Sequence, residues 1–399
     1  MNFTYKHTRY ACYMAYISGA IINSFAPLLF VIFQNDFNIS LMQLSVVISS
    51  NFAIQLVVDI LCSKNVDKIG YRRTLVIALI MAFLGITFLG TLPKLINPFA
   101  GIMTAVVFYA IGSGMLEVMV SPTIEALPSD TKTSDMSLLH SFYCWGCVFV
   151  IIVSTIFFRL FGVENWSYLC YLLAVVPLIT MLLFLRVPII PFGQDKVRVS
   201  YKKIFSNRMF RIFLVVMICA GASEIAMGQW ASYFAETGLG VSKTIGDLLG
   251  PCMFAIAMGV SRVLFSKFGE KLDTFNVLSI SAVICVAGYV LSVVAENPIV
   301  SLIGCGIVGL GSAVMWPATL SLAAKYCAFG GMALFGLLAM GGDIGCSVGP
   351  ALVAKVSTHF SIFDSPLKAG LLCATVFPAL LMVAVNVLKF MSKQKLWDE

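Results

Sequence analysis

Runs of about twenty apolar residues, each closed by a short polar stretch, recur along the whole chain. As a helix, a run of that length crosses roughly 30 Å of hydrocarbon, and a helix satisfies its own backbone hydrogen bonds where no water is present. The pattern predicts six spans near Tyr10 to Phe33, Leu41 to Cys62, Thr74 to Leu92, Phe99 to Leu127, Met136 to Leu160 and Trp166 to Leu185. Six more follow near Ile212 to Thr237, Ile245 to Phe268, Phe275 to Ala295, Pro298 to Cys327, Met332 to Val356 and Leu367 to Phe390. The expected fold is an all-α integral membrane protein of twelve transmembrane helices, in two pseudo-symmetric six-helix halves. These halves are residues 1–186 and 212–399, joined by a polar cytoplasmic linker at 187–211 that carries Lys196, Arg198, Lys202, Lys203 and Arg208.

Composition agrees with that pattern. At 399 residues, 60% hydrophobic and 11% charged, the chain has more apolar surface than a soluble core of its size could hide. The net charge of +7 is gathered into alternate connections, which points to topology rather than to nucleic acid. The positive-inside rule then puts both termini in the cytoplasm of a multi-pass protein of the inner or plasma membrane. Lys6 and Arg9 precede a first run that is long enough to stay as a span, unlike the shorter core of a cleaved leader. The twelve cysteines lie almost entirely inside apolar runs, where they act as small fillers, and Cys144 with Cys147 is read as helix packing. No metal-ligand cluster, phosphate loop or nucleophile motif is evident, so no cofactor and no enzyme activity is expected.

The two halves repeat one another. Ser63-Lys64-Asn65-Val66-Asp67-Lys68-Ile69-Gly70-Tyr71-Arg72-Arg73 separates two apolar runs, and Ser266-Lys267-Phe268-Gly269-Glu270-Lys271 does so in the second half. Gly112-Ser113-Gly114 followed by Ser121-Pro122 is echoed, at nearly the same offset, by Gly309-Leu310-Gly311 followed by Trp316-Pro317. Small residues allow close helix approach, and proline bends a helix.

The stretch from Ser63 to Arg73 resembles the loop signature of the major facilitator superfamily, with matches at Asp67, Lys68, Gly70, Arg72 and Arg73. Ser63 stands where a glycine is usual, and the second copy lacks the aspartate. The resemblance implies a transporter whose two halves expose one central site to each side of the membrane in turn. It makes the Asp67 stretch a cytoplasmic latch, in which Asp67 and Arg72 or Arg73 bond to helix ends such as the Glu125 region. The alternative is anchoring by positive charge alone.

Ionisable residues within hydrocarbon are costly, and each calls for a role. Glu117 and Asp343 are candidates for proton coupling, since a carboxyl in a dry pocket can gain and lose a proton during a transport cycle. A carboxyl held structurally by a neighbouring polar group is the alternative. Asn51, Gln55 and Asp59 recur every four residues on one face of span two. That stripe either lines a water-filled path or supplies interhelical hydrogen bonds; Asn51 and Gln55 are candidate solute contacts and Asp59 a gating residue. Arg262 at the end of span eight either pairs with an acid of the other half or reaches to the surface. His140 near one end of span five joins the gating set.

On span seven Glu224 is followed by Gln229, Trp230 and Tyr233, and Trp316 lies beside Pro317 on span ten. Hydrogen-bonding side chains with flat apolar rings suit a sugar, although aromatic residues also serve as packing or interfacial anchors. Within the superfamily the chain is similar to the fucose permease-like branch of sugar and proton symporters. The matching residues are Gly19 with Pro27-Leu28, Gly112 to Glu117, Leu138-Leu139-His140-Ser141-Phe142, and Glu224 with Gln229-Trp230. That resemblance implies proton coupling at Glu117. The expected activity is proton-coupled uptake of a small hydrophilic solute such as a sugar, by a monomer in the bilayer. The alternative is proton-coupled export of drugs or other amphipathic small molecules.

Overall fold

The computed structural model describes residues 3–128, 132–190, 201–269, 272–327, 331–360 and 365–394, with the side chains of some further positions, Asp67 among them, outside the description. Among the described residues, twelve helical segments are long and apolar enough to cross a membrane. In the first half they are Tyr5–Leu28, Leu41–Cys62, Tyr71–Leu95, Pro98–Ala126, Leu138–Phe161 and Val163–Phe184. The second half supplies Arg208–Gly238, Lys243–Phe265, Thr274–Val294, Pro298–Tyr326, Gly336–His359 and Pro366–Lys393. The chain divides into two units, Met1–Gly193 and Gln194–Glu399.

Local chemistry sets the ends of several spans. Ser40 caps span two by a reciprocal pair, its Oγ accepting from Gln43 N at 3.2 Å while Gln43 Oε1 accepts from Ser40 N at 2.8 Å. Asn97 caps span four and Asn297 caps span ten, each followed by a proline at the first helical position, where no N–H is needed. Asn207 caps span seven through Phe210 N at 3.0 Å. That cap starts the helix at Arg208, one turn before the expected Ile212. Part of the linker is also helical, at Tyr201–Ser206. Span one begins at Tyr5 rather than Tyr10 and stops at Leu28, and a separate helix, Phe30–Phe37, follows.

The charged stretch after span two is not a loop. Its residues continue the helix of span two to Ile69, and the next helix begins at Tyr71. Gly70 alone makes the corner, with φ 94° and ψ 137°, a conformation that a side chain opposes. Gly269, its counterpart by sequence, keeps a helical φ of −60°, so the second copy does not turn at its glycine.

Close contacts at small residues set the register of the repeat. Gly85 of span three lies against Tyr109 of span four, and Gly288 of span nine lies against Val308 of span ten. Gly112 faces Ala78 and Ala82, whereas Gly311 faces Ser281 and Cys285. Gly112 is therefore matched by Gly311 and not by Gly309, which corrects the alignment expected from the Gly-x-Gly pairs. Counting from the span-four anchor, Gly114 corresponds to Ala313 and Glu117 to Trp316, and Asp59 beside Gly114 takes the place of Arg262 beside Ala313. Pro317 breaks its span one turn earlier than Pro122 lies in span four.

Candidate transport site

In the first half, a buried polar cluster joins spans one, two and four. Asn23 Oδ1 accepts from Asn51 Nδ2 at 2.9 Å and from Gln55 Nε2 at 3.1 Å. Ser113 Oγ donates to Gln55 Oε1 at 3.0 Å. Asn51 and Gln55, picked out by their spacing, thus meet two residues that were not: Asn23, a lone amide in an apolar run, and Ser113, hidden between two glycines. All four are buried. Interhelical hydrogen bonding accounts for most of their polar atoms; Asn51 Oδ1 has no hydrogen-bond partner among the described residues.

Asp59, one turn further along span two, is buried next to Gly114, where an added Cβ would come within 2.9 Å of Asp59 Oδ1. Glu117 follows Gly114 by one turn and precedes Ser121 by another. Ser121 Oγ shares a 2.8 Å hydrogen bond with Tyr16 OH of span one. Glu117 therefore stands on the side of span four that meets spans one and two, and there it is exposed while Gly112 to Leu116 are buried. His140 is exposed, with its ring edge-on to Tyr16 at 5.3 Å.

The charged corner has a definite partner. Arg72 donates from Nη1 to Phe184 O at 2.5 Å and from Nη2 to Val187 O at 2.7 Å, so its guanidinium caps the last carbonyl of span six and holds the chain just beyond it. The helix end that Arg72 holds is that of span six. Arg73 is exposed, and the side chain of Asp67 lies outside the described positions. On the same half Arg9 pairs with Asp135 at 2.9 Å, tying span one to the start of the span-five helix.

In the second half, Arg262 lies at the centre of the polar contacts. Its Nη2 pairs with Glu224 Oε2 at 3.3 Å and its Nε donates to Ala313 O at 3.1 Å. The ion pair is with an acid of its own half. Both side chains are mostly covered, at 19% and 12% exposure, so the pair is screened far less than a surface one. Gln229, Trp230 and Tyr233 are buried. Trp230 donates its indole N–H to Pro350 O of span eleven at 3.1 Å, and Tyr233 packs edge-on to it at 5.7 Å. Span eleven sits directly on span seven there, since Gly345 and Gly349 meet the backbone of Ile218 and Ala222. Gly345, Gly349 and Pro350 thus form a packing seam. Trp316 is half-buried, its ring lying over Gly342, and Asp343 next to that glycine is buried.

A further charged group closes the connection between spans seven and eight. Lys243 Nζ lies 3.0 Å from Glu236 Oε1 and 3.1 Å from Asp247 Oδ2, and Ser232 Oγ donates to Asp247 Oδ1 at 2.5 Å. Lys243 and Asp247 stand four residues apart on one short helix, a spacing the sequence does show, whereas Glu236 reaches them from Phe234–Gly238, which winds as π-helix.

Residues 11–350 match the family model described as Major Facilitator Superfamily. The chain belongs to the major facilitator superfamily. It is accordingly a multi-pass membrane protein and a secondary transporter, not an enzyme. Transporters of known structure share its fold over nearly its whole length. The D-xylose-proton symporter superposes with a TM-score of 0.78 at 15% identity, covering 96% of this chain and 95% of that one. A variant of the nucleoside transporter NupG gives 0.77 at 14% identity, covering 96% and 98%. A variant of the E. coli fucose:proton symporter, FucP, gives 0.66 at 14% identity, covering 95% and 98%. No curated protein matches the sequence. At such identities the likeness carries the superfamily fold and leaves the solute open.

Proposed function

We propose that the protein is a proton-coupled symporter that takes up a small hydrophilic solute, most simply a sugar, with Glu117 as the proton carrier. A contrast between two carboxyls within the spans supports this. Glu224 has Arg262 as a fixed counter-ion, whereas Glu117 stands exposed on the inner side of span four with no cation paired to it among the described residues. An acid balanced by an arginine gains little by taking up a proton; one without a cation can alternate between charged and neutral forms as its surroundings open and close. Asp343 is a second candidate for the same role. Two solved relatives are described as proton symporters of sugars, which is consistent with this chemistry.

Solute contacts then fall to Trp316, Gln229, Tyr233 and Glu224 in the second half, and to Asn51 with Gln55 in the first. Trp316 is the aromatic residue of this set with open surface; for Trp230 to touch a solute, span eleven would have to move off its indole. Asp59, Gly70, Arg72 and His140 belong to gating in this scheme, and both termini face the cytoplasm.

The test is uptake of labelled sugars and nucleosides by vesicles holding the purified protein, with and without an inward proton gradient, beside Glu117→Gln. Accumulation driven by the gradient and lost in Glu117→Gln is expected. A Glu117→Gln protein that still accumulates solute against its gradient at the parent rate would remove Glu117 from the role. Absence of any uptake by folded protein, with efflux of amphipathic dyes instead, would replace the symporter by an exporter.

A further inference from the structure

Pro317 has no N–H, so the helical bond that residue 317 would make to the carbonyl four positions earlier cannot form. That carbonyl belongs to Ala313. Span ten divides there into two helices, Pro298–Ser312 and Met315–Tyr326, and the second restarts with Ala318 N bonding Val314 O at 3.0 Å. The freed Ala313 carbonyl receives Arg262 Nε at 3.1 Å, and Ser261 beside it donates to Leu310 O at 3.1 Å. A guanidinium is thus seated at the C-terminal end of the first helix, where the exposed carbonyls carry partial negative charge. Trp316 follows the break directly, with its ring against Gly342.

From this geometry we propose that Arg262 is a positioning residue for Trp316: by capping the carbonyl that Pro317 leaves unbonded, it fixes the angle at which span ten restarts and so the direction in which Trp316 points. Glu224 holds the other arm of the same guanidinium, which links the carboxyl of span seven to the hinge of span ten. In the first half the corresponding pair is Asp59 beside Gly114, in a span that does not break there, so the cap belongs to the second half alone. The consequence for transport rests on Trp316 touching the solute, as proposed above.

The test uses the full chain labelled with 5-fluorotryptophan, whose five tryptophans give separate fluorine resonances, that of Trp316 being assigned with Trp316→Phe. Arg262→Gln is expected to move the Trp316 resonance and lower the thermal unfolding midpoint. Pro317→Ala restores the missing N–H, so adding Arg262→Gln to Pro317→Ala is expected to move the resonance much less. Equal shifts with and without Pro317 would overturn the proposal. A second arm separates the cap from the ion pair: Glu224→Gln with Arg262→Met removes both charges and leaves Ala313 O without the Arg262 donor. The resonance is expected to stay displaced in that protein, and its return to the parental position would show Arg262 to be only a counter-ion for Glu224. Arg262→Met, which has neither charge nor donor, stands in for Arg262→Gln throughout with the same expectations, since the Gln amide nitrogen can occupy the place of Nε. None of these readouts needs a solute. A rise in KM for uptake larger than the change in kcat is expected in Arg262→Gln, and an unchanged KM beside a moved resonance would take Trp316 out of the solute site and leave the cap standing.

Discussion

The ring of Trp316 lies so close over Gly342 that a Cβ added to the glycine would sit 2.1 Å from the ring. Glycine at 342 is what lets an aromatic side chain of span ten rest on span eleven beside Asp343. Gly342→Ala must therefore push the indole away. We expect a lower thermal unfolding midpoint and reduced uptake, with Trp316→Ala restoring much of the midpoint in the Gly342→Ala background. A midpoint equally low in the double variant would mean that the strain does not come from the ring.

Arg262 and Glu224 share one mostly covered ion pair, and removing either partner strands the other. A double-mutant cycle with Glu224→Gln and Arg262→Gln, read by thermal or denaturant unfolding in micelles, should give a coupling of about 1–3 kcal/mol. Additive effects would place the two groups in separate roles.

Gly70 turns the chain at φ 94°, and no heavy atom lies within 4 Å of where its Cβ would be. Any cost of a side chain is thus conformational and not steric crowding. Gly70→Ala and Gly70→Asn should both lose on the order of 1–3 kcal/mol, because ψ 137° lies outside the left-handed region that Asn tolerates. Unfolding midpoints equal to the parent's for both would show that this corner relaxes freely.

Arg72 caps the last carbonyl of span six and one just beyond it with its fork, while Arg73 beside it is exposed. Arg72→Ala should destabilise by about 1.5–3 kcal/mol and Arg72→Lys by part of that, since an ammonium does not match the planar fork. Arg73→Ala should leave the unfolding midpoint unchanged. The comparison separates capping from anchoring by positive charge, because both variants lose the same charge from the same surface.

Asn23 supplies one oxygen to two buried amides. Asn23→Ala leaves both donors without their acceptor and should cost more stability than Asn51→Ala, whereas Asn23→Asp keeps the oxygen and should cost less than Asn23→Ala. The order of the three midpoints decides whether Asn23 is the hub of the cluster.

Sequence alone determined that the chain is a twelve-span membrane protein of the major facilitator superfamily, built as a repeat. Hydrophobic run length fixes a membrane helix almost without reference to its neighbours, because the bilayer sets the length and the backbone must close its own bonds. Periodicity along one span was enough to put Asn51, Gln55 and Asp59 on a common face. Which residues meet across spans was decided only by tertiary structure. Arg262 was legible as an unusual charge, but its pairing with Glu224 and its seat on the Ala313 carbonyl depend on how spans seven, eight and ten rotate about their axes. That rotation is set by close contacts at small residues such as Gly85, Gly288 and Gly311, and a sequence reports a glycine without reporting what lies against it. For the same reason the repeat read one way in sequence, with Gly309 matched to Gly112, and another in space, with Gly311 in its place.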